Sequence, residues 1–220
     1  MKTVLMAGHA PARNRAWRDE LLATGQWDVM EPVTSFAQAR VLLHRHNPDL
    51  LIAELRLLDG TVLDMLRVLR LGMAYLRTQV LVVARGEGDP LLLDALQEGA
   101  DSFYDAGDPS ADPLASHARD TLGGNADIAP WIARHLLDHF DSRCAGSGTL
   151  LHASVDELIS PLSLTPEERL LLRRLAIGRR LAEVARYEKV SPRALAAQVR
   201  AIYRKMQWDL RAGDLTLQAA

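Results

Sequence analysis

Few side chains in this 220-residue chain are of the type and placement that do chemistry. Glu54 follows the apolar run Leu50–Ala53 in "LLIAELRLLDG", and Gly8 and His9 follow the apolar run "TVLMA" (3–7). Ala84 and Arg85 end "VLVVA" (80–84), and Asp105 and Ala106 come after "SFY" (102–104). His135 and His139 lie four apart beside Asp138, a spacing that could support a metal, although a solvated helix face is the expected explanation. Cys144 is the single cysteine, so no disulfide forms within the chain, and a redox role lacks a second thiol. There is no Gly-rich phosphate loop, no Ser-His-Asp arrangement and no HExxH. Neither an enzyme nor a bound metal or cofactor is expected.

The elements that must position these residues can be read from periodicity. "TVLMA", "WDVMEPV" (27–33), "LLIA" (50–53), "VLVVA" and "SFY" are five short apolar runs, separated by "ARNRAWRDELLATG", "SFAQARVLLHRH", "TVLDMLRVLRLG" and "DPLLLDALQEGA", which show helical spacing. Ser35 should cap the second helix, and Gly25, Gly72 and Gly99 sit where helices should stop. Continuously apolar strands alternating with helices imply a parallel sheet covered on both faces, a doubly wound α/β domain over 1–122. In such a domain ligands gather at the carboxyl ends of the strands. That places Gly8, His9, Glu54, Ala84, Asp105 and Ala106 together.

Residues 123–160 read as a linker carrying one helix, with small and polar residues over 141–149. Residues 161–220 read as four helices with short connections. Charge divides the same way: residues 1–160 hold 14 Lys and Arg against 22 Asp and Glu, whereas 161–220 hold 12 against 6. An acidic body with a basic tail of domain size suggests a control domain joined to one that binds a polyanion. The N-terminal apolar run is only about five residues, too short for a secretory or membrane-spanning segment, and a cytoplasmic protein is expected. Trp17, Trp27, Trp131 and Trp208 are expected in core or interface packing.

In the basic region, Thr165, Pro166 and Glu168 form a helix opening, Leu171, Leu172 and Leu175 a buried stripe, and Gly178 a stop. A short helix from Leu181 to Tyr187, a tight turn, and a further helix opened by Ser191 and Pro192 make helix-turn-helix grammar. "LTPEER", "EVA" and "IYRKM" in this order resemble the DNA-binding domain of NarL/LuxR-family bacterial response regulators, two-component transcription factors. "GGNADIAPWIARHLL" resembles the segment that follows the family's receiver domain, and "VLMAGHAP", "PDLLIAELRLLDG", "VLVVA" and "EGADSFY" resemble the receiver itself.

The resemblance implies a flavodoxin-like receiver with a five-stranded sheet, followed by an all-α helix-turn-helix domain. It also implies which groups a working phosphate switch would need. These are an acidic pair after the first strand to hold Mg2+, an aspartate after the third, Ser or Thr after the fourth, and Lys after the fifth. A divalent ion wants carboxylate oxygens, and phosphoryl transfer needs cations to neutralise developing charge. Here Gly8 and His9 stand at the acidic pair, Glu54 at the acceptor, Ala84 at the hydroxyl position and Asp105 or Ala106 at the lysine, so all five elements are changed. A degenerate receiver is expected, with Glu54 a relic, a partner of His9, or a mimic of phosphoaspartate.

For DNA the resemblance points to Arg193, Gln198, Arg200, Arg204 and Lys205, with Arg179 and Arg180 nearby. Gln can read adenine and Arg guanine by paired hydrogen bonds, whereas most arginines clamp phosphates. Ala194, Ala196 and Ala197 stand where the family places polar or basic residues, and Glu188 and Lys189 where it places an apolar residue and a glycine in the turn. Leu210, Leu215 and Leu217 are candidates for a dimer contact or for burial within the monomer. The expected function is phosphorylation-independent transcriptional regulation by a homodimer on double-stranded DNA, without membrane attachment. The pseudo-receiver could also take a regulatory protein or small ligand. The alternative is a protein-interaction regulator that keeps both folds without sequence-specific DNA binding.

Overall fold

The computed structural model describes residues 1–71, 78–86, 88–146 and 163–218. The chain forms two compact units, Met1–Ala126 and Asp127–Ala220. In the first, β1 (Lys2–Ala7), α1 (Pro11–Ala23), β2 (Trp27–Val29), α2 (Phe36–His46) and β3 (Leu50–Glu54) lead to a small hairpin, β4 (Arg56–Leu57) and β5 (Gly60–Thr61). Then come α3 (Val62–Leu71), β6 (Gln79–Ala84), α4 (Pro90–Glu98), β7 (Ser102–Asp105) and α5 (Leu114–Leu122). The second unit holds α6 (Pro130–Gly146), α7 (Pro166–Ala176), α8 (Leu181–Glu188) and α9 (Pro192–Gln218).

The main sheet is five-stranded and parallel, in the order β2-β1-β3-β6-β7. This is the flavodoxin-like order, with its switch in direction beside β1 and β3. Every residue of β3 is buried, as a central parallel strand covered by helices requires. Val4, Met6, Leu50, Ile52, Leu81 and Val83 pack with Leu21, Trp27, Leu114 and Ala118 in the core. The second strand is shorter than its apolar run: it stops at Val29, and a single bridge from Ala7 to Val33 resumes the pairing. Pro32 supplies no N–H to a ladder there.

Leu58 and Asp59 turn the β4–β5 hairpin, and Asp59 also holds the start of α2 by accepting from the backbone N of Phe36 (2.5 Å) and of Ala37 (3.1 Å). Ser35 caps the same helix through the N–H of Gln38 at 3.2 Å, as its sequence position implied.

The second unit contains four helices among the described residues, but they are not the four read from 161–220. The stretch from Pro192 to Gln218 is one continuous 27-residue helix, so the separate last helix is an extension of α9. Gly213 alone, at a cost of about 1 kcal/mol, is too weak a breaker to end it. The remaining helix, α6, lies in the segment assigned to a linker, and it packs within this unit. Arg134 Nη1 donates to the carbonyl of Ala176 at 2.7 Å, and His139 Nε2 lies 2.9 Å from Asp209 Oδ2. Tyr203, fully buried, donates its hydroxyl to the carbonyl of Asp127 at 2.7 Å, and burial pushes that hydroxyl's pKa well up. The division between the two units falls between Ala126 and Asp127, and the helix expected within 123–160 belongs to the second unit. The rest of that linker, 147–160, lies outside the described residues, as does Gly72.

Candidate functional site

The carboxyl ends of β1, β3, β6 and β7 bring together the residues expected there. β3 ends on Glu54, which is 4% exposed. A buried carboxylate needs partners for both oxygens. Oε2 accepts from the backbone N of His9 at 3.0 Å and lies 2.5 Å from His9 Nδ1. Oε1 is held by the guanidinium of Arg13, and a second guanidinium, that of Arg85, lies 3.8 Å away. Arg13 stands in the first turn of α1, at the positive end of the helix dipole, where a cation is disfavoured. Desolvation, and then the charge of Arg85, lower its pKa from the usual arginine value. Its guanidinium also lies 5.1 Å from the ring centroid of Trp17. Glu54 is what keeps this cation in place.

Gly8 fits the same arrangement for a steric reason. A Cβ there would come within 2.7 Å of Asn14 Oδ1 and 2.9 Å of Glu54 Cδ. Asn14 is itself buried and donates to the carbonyl of Gly8 at 2.7 Å. The side chain absent at position 8 therefore makes room for the longer acid at position 54.

Ala84, buried, offers no hydroxyl. Ala106 continues the strand-end hydrogen bonding by donating to the Ala84 carbonyl at 2.9 Å. Asp105 presents a carboxylate, not an ammonium: Oδ1 accepts from Gly86 N and Gly107 N, both at 2.8 Å, tying the loops after β6 and β7 together. The residues do not fit a Mg2+ site of the type the resemblance implies. Among the described residues only the carboxylate of Glu54 lies between the guanidiniums of Arg13 and Arg85, and both its oxygens are engaged, whereas Mg2+ requires a near-octahedral set of oxygens. Arg13 was not legible from the strand-end rule, because it lies on a helix. Its position four residues after His9, in the first turn of α1, was the available signal.

In the second unit the paired helices are α8 and α9. Their turn forms with Lys189 in the left-handed region (φ 58°), where Val190 N donates to Ala185 O at 3.1 Å. Glu188 pairs with Arg174, whose guanidinium also lies 4.6 Å from the centroid of Tyr187. Ser191 caps α9 through the N–H of Ala194 at 3.1 Å. Arg193, Gln198 and Arg204 are exposed along α9, and Arg179 and Arg180 are exposed before α8. Ala194 and Ala197 are exposed between them, and Ala196 is half-buried. Arg186 and Lys189 add exposed cations that the sequence reading passed over.

Two expected DNA contacts are placed elsewhere. Arg200 is 3% exposed, on the inner face of α9 with Val199. Lys205 points inward, with Nζ 2.6 Å from Glu168 Oε2 and donating to the Ser163 carbonyl at 3.0 Å. It braces the capping box in which Thr165 N donates to Glu168 Oε2 (2.8 Å) and Glu168 N to Thr165 Oγ1 (3.2 Å). The i, i+4 geometry of a helix face did not reveal which of these cations turns inward. Leu210 is half-buried; Leu215 and Leu217 continue the helical backbone, and their side chains lie outside the described residues. Among the described residues no cluster of three metal-ligating side chains occurs, and no helix is long and apolar enough to cross a membrane.

No protein-family model and no curated protein matches the chain. Solved structures do resemble it. The receiver domain of the response regulator NarL of Mycobacterium tuberculosis is 21% identical, with 56% of this chain and 97% of that one covered at a TM-score of 0.50. A LuxR-family DNA-binding response regulator of Staphylococcus aureus is 16% identical, covering 56% of this chain and 99% of that one, also at 0.50. RcsB of Salmonella enterica serovar Typhimurium, solved on promoter DNA with the phosphomimetic BeF3−, is 15% identical over 94% of this chain and 92% of its own, at 0.51. The chain therefore has the fold of a LuxR-type response regulator, a flavodoxin-like receiver followed by a helical helix-turn-helix domain.

Proposed function

We propose that this chain is a phosphorylation-independent transcriptional regulator of the NarL/LuxR family, acting in the cytoplasm as a homodimer on double-stranded DNA. The observation that carries the reading is the exposure of Arg193, Gln198 and Arg204 on the second helix of a helix-turn-helix, with Arg179 and Arg180 exposed before its first helix. Gln198 is suited to bidentate readout of adenine, and the arginines to phosphate or guanine. The fold supports it: RcsB, which shares both domains, has been solved as dimers bound to DNA. Independence from phosphorylation is supported by the pocket, where Arg13 and His9 already hold the acidic side chain at the acceptor position.

Selection from a random DNA library with purified, untreated protein tests this. A two-fold symmetric motif is expected, with enrichment reduced by Gln198→Ala at the base it reads. The second reading, a regulator that binds protein and not DNA, is favoured by exposed Ala194 and Ala197 in the middle of the would-be reading face. It would give no enriched motif and no binding at low salt.

A further inference from the structure

We infer that Arg13 is the resident cation of the strand-end pocket, a covalently tethered replacement for the divalent ion, and that the pocket has been refilled around it so that neither Mg2+ nor a phosphoryl group enters. Three independent observations converge on this. The first is charge: among the described residues the carboxylate of Glu54 is met by the guanidiniums of Arg13 and Arg85 and the imidazole of His9, a cation-rich setting where a metal would need further carboxylates. The second is saturation: Oε1 is taken by Arg13, and Oε2 by the backbone and ring nitrogens of His9. A metal or a phosphoryl acceptor role would require one of these to be given up.

The third is space. Glu54 extends into the volume that a side chain at position 8 would fill, as the 2.9 Å approach of a Gly8 Cβ to Glu54 Cδ shows. The gap beneath Glu54, between Asn14, Trp17, Ile52 and Val83, is too tight for a water molecule. Gly8, Glu54 and Arg13 thus constrain one another in this pocket. A single reversion at Gly8 to aspartate would place its Cβ against Glu54 and Asn14. The consequence is a clamp that joins β1, α1 and β3 in one arrangement without any ion. It replaces an element that responds to a signal with one that does not.

The inference deepens the phosphorylation-independent reading and rests on it for its biological meaning. Its test involves no DNA, so the two can fail separately. Thermal unfolding of the full chain is measured with and without Mg2+, and with Mg2+ plus BeF3−, for the native protein, Arg13→Met, Glu54→Gln and the double variant. Methionine keeps an unbranched side chain while removing the charge. The native Tm is expected to be unmoved by either addition. Arg13→Met alone should lower Tm clearly, and adding Glu54→Gln should recover part of that loss, because the unpaired buried charge has gone. Arg13→Lys, which retains a cation, serves if Arg13→Met does not fold, and its Tm should lie nearer the native value than that of Arg13→Ala. A rise in native Tm with Mg2+ or BeF3− overturns the inference. So does simple additivity of the position 13 and 54 substitutions.

Discussion

His139 Nε2 lies 2.9 Å from Asp209 Oδ2 across 70 residues of chain, and both side chains are largely shielded from water. The pair fastens α6 to α9 within the second unit. Removing the imidazole takes a hydrogen-bond partner from a buried carboxylate, at a cost of about 1–3 kcal/mol. His139→Ala is expected to lower the urea midpoint of the full chain accordingly. An unchanged midpoint would mean that α6 contributes little to this unit.

The same packing makes a prediction about where the unit can be cut. A fragment from Asp127 to the end should give a cooperative thermal transition, because it retains the contacts of Tyr203, Arg134 and His139. A fragment starting after Gly146 leaves the Tyr203 hydroxyl without its acceptor and exposes the α7 and α9 faces that α6 covers. It should melt at a lower temperature and less cooperatively.

Exposed and inward-facing cations should separate in a salt series. Each phosphate contact contributes about −0.9 to the slope of log K against log salt. Arg193→Ala and Arg204→Ala are therefore each expected to reduce that slope by about 1. Lys205→Ala should leave it unchanged and lower stability, because its ammonium is spent on Glu168 and Ser163. A reduced slope for Lys205→Ala would show that its pairing opens on DNA.

Asp49 gives a pH prediction. The Lys2 ammonium, and then the backbone N–H of Thr3, hold its carboxyl below the usual carboxylate range. With the folded pKa below an unfolded value of about 3.9, the stabilisation is present above that value and is lost as pH falls through the folded one. Asp49→Asn should cost about 1 kcal/mol near neutral pH, since the site is partly solvated. The gap between variant and native protein should close below about pH 4. A gap that persists in acid would place the effect in the backbone rather than the charge.

Lys189 occupies the left-handed region at the turn between α8 and α9. Glycine adopts this conformation without a Cβ penalty, so Lys189→Gly is expected to stabilise the full chain by about 0.5–1 kcal/mol. Urea unfolding would show it, and destabilisation would mean that the lysine stem packs usefully.

Much of this was legible in the residues. Continuously apolar runs such as "LLIA" identified the central parallel strands because burial on both faces leaves no alternation to read. Glu54, His9 and Asp105 could be brought together by the strand-end rule alone. What the pattern could not supply was direction. Arg13 belongs to the pocket because α1 starts close above β1, and Lys205 leaves the DNA face because Glu168 lies across from it in the folded unit. The helix expected within 123–160 is present as α6, and its buried face of Ile132, Ala133, Leu136 and Phe140 packs it into the second unit. The separate last helix expected in the C-terminal region is instead the continuation of α9.

DNA binding by the untreated protein, titrated against salt with and without Mg2+ and BeF3−, tests the central claim most directly. The account predicts tight binding at low salt, a steep negative slope, and identical curves in both conditions. Absence of binding at low salt, or affinity that appears only with BeF3−, would contradict it.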